Sequence, residues 1–192
     1  MSVISEARAM RAHRTEEGDE GFTLIELLVV LLIIGILLAI AIPTFLSVTK
    51  TANNTAAQSN LQTALTGSDT FYTQNQQSYS GIFTGTTYAS SLSQIDTGLV
   101  YVSGNGGTGV ASTAPNQVSV ATYNNAIELA AFSRGTNVCW FVVDIKGTQS
   151  TAISGQTLVG TYFGALANQP SKDCVAGGLL LVKAQAGSFP PA

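Results

Sequence analysis

Residues 21–46, GFTLIELLVVLLIIGILLAIAIPTFL, set the architecture of this chain. No polar side chain occurs from Leu27 to Ile42. A helix rises about 1.5 Å per residue, so the stretch is long enough to cross a hydrocarbon core of about 30 Å. Glu26 is the one charged residue of the stretch 21–46. A lone carboxylate in a membrane helix costs about 2.5–3.5 kcal/mol on insertion scales and less near the interface. Its presence predicts a partner that pairs with it.

The segment from Gly21 to Leu27 lies between a charged stretch and an apolar span, and it resembles the processing site of type IV pilins and the related pseudopilins. The resemblance implies that a prepilin peptidase cleaves after Gly21 and that the new amine of Phe22 is methylated. It also implies that Glu26 sets the register of assembly by meeting the Phe22 amine of a neighbouring subunit. A plain signal anchor would leave Glu26 and the sharp polar-to-apolar step unexplained.

Residues 1–21 are predicted to form a cytoplasmic leader peptide that is removed. An ordinary secretory signal carries its apolar region before the cleavage site, whereas here the apolar region follows it. Three arginines precede the span and only Lys50 closely follows it, a bias that keeps the leader inside and the bulk of the chain outside. The mature chain then divides into a transmembrane and filament-core helix half, 22–46, and a globular domain, 47–192.

After Ser47 the sequence becomes amphipathic. Small and apolar residues recur with the 3.6-residue period of a helix. These residues are Ala57, Leu61, Ala64, Leu65, Ser68, Phe71 and Tyr72. The sequence therefore predicts one continuous helix from about Phe22 to about Gln74, whose second half, 47–75, packs on a sheet.

The rest of the chain predicts an α+β domain of the type IV pilin-like class. An αβ-loop is expected over 76–98, with a short helical turn at Ser90–Ile95, and the sheet and C-terminal loop over 99–192. Asn124-Asn125 indicates a tight hairpin turn, and the tail 187–192 is expected to be flexible. Strands are predicted at Leu99–Ser103, Gln117–Tyr123, Ile127–Ser133, Val138–Ile145, Thr157–Phe163 and Leu179–Ala184. Because every strand follows the helix, we expect an antiparallel sheet packed on it.

Gly35 and Pro43 are the weak points of the long helix. In a helix interior glycine costs about 1 kcal/mol and proline about 3 kcal/mol relative to alanine, and Pro43 has no N–H to donate. One interpretation is a tolerated kink. The resemblance to pilins implies more, because the stretch between these positions can lose helical order in assembled filaments of that family and make the fibre extensible.

Cys139 and Cys174 lie beyond the membrane segment, and neither belongs to a CxxC motif or a Cys/His cluster. A zinc or redox site is therefore disfavoured, and a disulfide formed in an oxidising exterior is favoured.

Catalysis has few candidate residues. The single histidine, His13, lies in the leader, so no Ser-His-Asp or Cys-His arrangement is expected in the mature chain. The mature carboxylates outside the helix start are scattered singly, as Asp69, Asp96, Glu128, Asp144 and Asp173. They offer no catalytic pair and no EF-hand spacing. We expect no catalytic residue, no metal site and no cofactor.

Composition fits a structural protein at the cell surface. The 192 residues suffice for one membrane segment and one globular domain; only 10% are charged, 45% are hydrophobic, and the net charge is −3. Such a chain has no basic field for nucleic acid, so that contact is expected to be absent or indirect. A nearly uncharged mature surface suits an extracellular protein that packs against copies of itself.

The resemblance makes a type IV pilus subunit the leading interpretation. It implies a single-pass precursor in the cytoplasmic (inner) membrane and then an extracellular helical filament of identical subunits. The implied partners are the prepilin peptidase and the pilus assembly platform with its ATPase. Two alternatives stay open at this point: a pseudopilin of a type II secretion or DNA-uptake machine, and a membrane-anchored extracellular binding module.

Overall fold

A computed structural model describes residues 21–82, 90–104, 109–123, 125–147, 153, 156–177 and 184–190. The chain divides into two compact units, Met1–Thr44 and Phe45–Ala192. Helix α1, Leu24–Gln74, contributes residues to both units. The predicted long helix is thus confirmed, and it begins at Leu24 rather than Phe22 because Thr23 caps it.

In the N-terminal unit, the described chain is an apolar helix whose side chains no described residue covers. Every large apolar side chain from Phe22 to Ile42 is at least 44% exposed. Such a surface is hydrophobic all round rather than along one stripe, which is typical of a membrane span or of a helix that other subunits surround. In the part of the chain that the structure describes, α1 is the one helix long and apolar enough to cross a membrane.

In the C-terminal unit, the second half of α1 packs on a sheet. Ala57, Leu61 and Ala64 are buried against the strands, and Leu65 and Phe71 pack beside them. The predicted stripe is therefore core. Polar contacts add to this packing, because Asn54 Oδ1 accepts hydrogen bonds from Thr136 Oγ1 at 2.6 Å and from Trp140 Nε1 at 3.3 Å.

In the described part of the chain, six strands form one sheet, and their order in the sheet is their order in the sequence. Before them lies the short helix α2, Ser90–Ile95, where the sequence predicts a helical turn. The strands are β1 Val100–Ser103, β2 Gln117–Tyr123, β3 Ala126–Ser133, β4 Val138–Ile145, β5 Gly160–Leu166 and β6 Gln185–Ala186.

The predicted α+β class and antiparallel sheet are confirmed, with one exception in the pairing. Strands β2 to β6 pair antiparallel, whereas β1 pairs parallel with β2. A parallel pair needs a long connection between its strands, and residues 104–116 lie between β1 and β2 in the sequence. The sequence analysis did not predict this parallel pair, because the alternation of apolar and polar residues indicates where strands lie but not their direction.

Other boundaries shift by a few residues. Tyr123 pairs with Ala126 in register, as expected for a hairpin at this position, although Asn124 lies outside the described residues. Strand β5 begins at Gly160 instead of Thr157. Of the strand predicted at 179–184, residues 179–183 also lie outside the described part, and β6 follows it directly.

Both faces of the sheet are covered, so β3 and β4 are buried along their whole length. Helices α1 and α2 cover the face that carries Trp140 and Val142. Residues of the C-terminal region, among them Cys174 and Ala176, cover the other face. The expected flexible tail is wrong for its described part, because the Phe189 ring packs 5.6 Å from Trp140 and 4.8 Å from Phe163, measured between ring centroids.

Candidate functional site

The start of α1 is a capping box, in which Thr23 and Glu26 hydrogen-bond each other reciprocally. The Glu26 N–H donates to Thr23 Oγ1 at 3.3 Å, and the Thr23 N–H donates to Glu26 Oε2 at 2.9 Å. Thr23 Oγ1 also donates to Glu26 Oε2 at 2.8 Å. The Thr23 carbonyl accepts the first helical bond, from Leu27 N at 3.3 Å. Thr23 is therefore the N-cap, and residues 21–23 lie outside the helix.

The capping box gives Glu26 a partner within its own subunit and leaves part of its carboxylate available. Both bonds from Thr23 end on Oε2, and no described residue donates to Oε1. Oε1 can therefore accept from a donor outside the chain. A shallow groove of about 420 Å³ beside Glu26 is otherwise lined by apolar side chains, namely Phe22, Ile25, Val29 and Val30.

The two residues expected to weaken the helix lie inside α1, which is continuous across both. Gly35 has open space around its Cα. Next to Pro43, the Thr44 hydroxyl donates to the carbonyls of Ile40 and Ala41 at 3.2 and 2.9 Å. Loss of helical order between Gly35 and Pro43 in a filament stays a prediction.

The predicted disulfide is confirmed. Cys139 of β4 and Cys174 are bonded, with their Cα atoms 5.4 Å apart, and both are fully buried on the face of the sheet opposite α1. The Cys174 carbonyl accepts from Ser112 N at 2.9 Å, and the Ala176 N–H donates to Ser119 Oγ at 3.1 Å. The bridge and these bonds tie the chain after β5 to the sheet.

Replacing either cysteine by serine is expected to lower the free energy of unfolding by about 3–4 kcal/mol, the chain-entropy value for a loop of this size; the two cysteines are 35 residues apart. Urea unfolding of the full chain in detergent would measure the loss. Wild-type protein treated with a reductant is the matched control and should behave like the variants. Quantitative alkylation of both thiols in untreated protein from the cell surface would contradict the bridge.

A cluster of charges at the end of α1 was not predicted. Lys146 Nζ lies 2.7 Å from Asp69 Oδ1 on α1 and 2.9 Å from Asp144 Oδ2 on β4. Asp144 is 2% exposed and also accepts from Tyr79 Oη at 2.9 Å and from Thr161 Oγ1 at 2.8 Å. The network joins α1, the segment after it, β4 and β5. Strand alternation could have revealed it, because Asp144 shares a face with Trp140 and Val142.

Two members of this network, Lys146 and Tyr79, have raised pKa values and stay protonated at neutral pH. Burial lowers the pKa of Lys146, but hydrogen bonds and charge attraction from Asp69 and Asp144 outweigh it and raise the pKa overall. Burial and the charge of Asp144 raise the pKa of Tyr79 well above its usual value. Stability from Lys146 is therefore fully present below its unfolded pKa of about 10.4, and it is lost only as pH rises through the raised value.

The remaining carboxylates do not converge. Asp96 accepts from Gly98 N at 2.8 Å, and Glu128 accepts from Tyr123 Oη at 3.3 Å on the other side of the sheet. Asp173 ends an exposed 3-10 turn. Within the described ranges no group of three His, Cys, Asp or Glu side chains could hold a metal ion.

The helix start belongs to a known motif. Residues 18–42, which include Gly21, Phe22 and Glu26, match the family described as the prokaryotic N-terminal methylation motif. Over 68 residues the chain is 40% identical to the type IV major pilin protein PilA of Myxococcus xanthus (strain DK1622), a match that covers 35% of this chain and 31% of that relative. The match thus spans about a third of the length of PilA. No solved structure matches the chain. The two similarities support the resemblance to type IV pilins.

Proposed function

We propose that this chain is the structural subunit of a type IV pilus filament. The observation that carries the proposal is the first part of α1, which lies within the match to the methylation motif and in which every large apolar side chain up to Ile42 is exposed. An uncovered apolar surface of this extent marks a membrane or protein contact. The bilayer covers it before assembly, and the helices of other subunits cover it in the fibre.

Processing precedes assembly. Residues 1–21 are removed as a cytoplasmic leader when prepilin peptidase cleaves the Gly21–Phe22 bond and methylates the new amine. Residues 22–46 then serve as the transmembrane and filament-core segment, and residues 47–192 form the globular domain outside the membrane. The assembly platform and its ATPase draw subunits from the membrane into the fibre.

Each subunit repeats one head-to-tail contact along a helical filament. Apolar helices supply the packing, and Glu26 supplies the register. Its Oε1 has no donor among the described residues and adjoins an apolar groove, so a neighbour's Phe22 amine can reach it. The charge-assisted bond forms where water is excluded and is therefore strong.

Mass spectrometry of sheared surface filaments tests the proposal. We expect this chain to be their main protein and to begin at a methylated Phe22. A mature N-terminus elsewhere would contradict the processing site. Short envelope-spanning fibres that form only with a secretion or DNA-uptake machine would indicate a pseudopilin. Protein that stays monomeric in detergent and leaves no fibre would indicate an anchored binding module.

A further inference from the structure

The hydroxyl of Thr23 has a role that the methylation motif does not assign. It lies one residue beyond the proposed scissile bond and fixes where α1 begins. The hydroxyl oxygen of Thr23 accepts from the Glu26 N–H, and the backbone carbonyl of Thr23 accepts from the Leu27 N–H. Gly21, Phe22 and Thr23 consequently stay outside the helix and are exposed.

We propose that Thr23 is a positioning residue for processing, because its side chain stops the helix before the Gly21–Phe22 bond and leaves that bond accessible to the peptidase. The inference rests on the proposed cleavage after Gly21. Hydrolysis of this amide by one water molecule yields the Gly21 carboxylate and the Phe22 amine. A peptidase has to reach both the carbonyl and the N–H of the bond, and a helix engages these groups in its own hydrogen bonds.

The sequence indicates what happens without the cap. The nearest residue upstream of Thr23 whose side chain caps helices well is Asp19. A helix started by Asp19 would contain the Gly21–Phe22 bond, and the Gly21 carbonyl would accept from the Ile25 N–H. The apolar residues after Thr23 favour a helix that continues toward the C-terminus. The cap at Thr23 therefore decides how far the helix extends toward the N-terminus.

Glu26 contributes less to this effect than Thr23. The cap bond uses the backbone N–H of Glu26, which any residue at that position retains. Removing the Glu26 side chain loses only the reciprocal bonds that Oε2 accepts from Thr23. Cleavage should therefore depend on the hydroxyl of Thr23 and little on the carboxylate of Glu26.

The test measures cleavage of the full-length precursor, in phospholipid vesicles, by a purified prepilin peptidase. Thr23→Val keeps the β-branched shape without the hydroxyl, and Thr23→Ser keeps the hydroxyl. Thr44→Val is the matched control, because the Thr44 hydroxyl also bonds to α1 but donates to carbonyls inside the helix. Product is quantified by mass spectrometry of its N-terminus, and amide exchange at Glu26 reports the cap bond independently of activity.

We expect Thr23→Val to be cleaved about fivefold more slowly, the population change that corresponds to about 1 kcal/mol for a lost N-cap. Its Glu26 amide should exchange faster, while Thr23→Ser and Thr44→Val match the wild type in both measurements. Cleavage of Thr23→Val at the wild-type rate, or of Thr23→Ser as slowly as Thr23→Val, would overturn the inference and leave the proposed function intact. A wild-type chain that is not cut after Gly21 would overturn the proposed processing itself.

Discussion

Filaments are expected to fall to roughly a tenth of the wild-type amount or less when Glu26→Val is the only subunit in the cell, because each contact would strand a buried charge worth about 3–5 kcal/mol. The charge in question is the Phe22 amine of the neighbouring subunit. Membrane insertion should be unchanged or easier, since the variant removes a carboxylate from an apolar helix. Cleavage after Gly21 should be largely intact, because Thr23 still caps the helix.

We expect this loss of filaments because Glu26 would select the axial position, or register, at which neighbouring subunits pack. A neighbour whose Phe22 amine lies beside Glu26 Oε1 gains a charge-assisted bond, whereas one that slips along the axis leaves two charges unpaired among apolar side chains. Apolar packing alone discriminates weakly between such positions, because most residues from Leu27 to Ile42 are leucine, isoleucine or valine. In the proposed filament, the Glu26 carboxylate is therefore the group that makes one position preferable.

Glu26→Gln is the control that the structure suggests. Glutamine can replace glutamate in a capping box, so this variant keeps the helix start and removes only the charge. We expect Glu26→Gln to lose filaments as Glu26→Val does, and Glu26→Asp to be intermediate. Quantifying sheared fibres against the membrane pool of processed subunit provides the measurement. Normal fibres from Glu26→Val would mean that apolar packing alone sets the register.

The second large effect concerns the globular domain. Lys146→Met is expected to lower its free energy of unfolding by about 3 kcal/mol, at the low end of the range for breaking buried ion pairs. Among the described residues, the buried charge of Asp144 would keep the Tyr79 and Thr161 hydroxyls as its side-chain donors. The low end applies because the Lys146 side chain is 30% exposed, so that solvent screens part of the interaction.

Urea unfolding of the full chain in detergent, followed by the fluorescence of its single tryptophan, would measure this loss. Lys172→Met is the matched control and should change stability by less than about 0.5 kcal/mol, because Lys172 is exposed and makes no ion pair with a described residue. The double variant Lys146→Met with Asp144→Asn should recover much of the loss, since the uncompensated charge is gone. Equal losses for the two lysine variants would show that the network does not hold the domain together.

The features that sequence predicted well are those that neighbouring residues determine. The span, its start near Phe22 and the amphipathic continuation follow from composition and a period of 3.6. The strands β2 and β4 were placed at their observed bounds because apolar runs between turn residues define them. The disulfide followed from the absence of any other use for two cysteines.

The features that sequence missed depend on residues far apart in the chain. The local sequence around Asp69 and around Lys146 gives no sign that the two residues pair. They meet because α1 packs on the sheet beside the end of β4. The direction of β1 is defined by its parallel pairing with β2, which the local sequence does not indicate. Phe189 lies in the tail that was expected to be flexible, yet its partly buried ring contacts Trp140 and Phe163. The capping box was within reach, since the pattern Thr-x-x-Glu before an apolar run signals it.

The order of the strands also affects how the domain forms. Each strand pairs with the one just before it in the chain, from β1 to β6, so its template has always been synthesised first. Contacts that are close in sequence form quickly, because little loop entropy opposes them. Cys174 follows β5 in the chain, so β4, which carries Cys139, and both strands that pair with β4 are synthesised before the second cysteine. The bridge therefore joins the chain after β5 to a strand whose two neighbours already exist, and β6 is the one described strand that is still to be added.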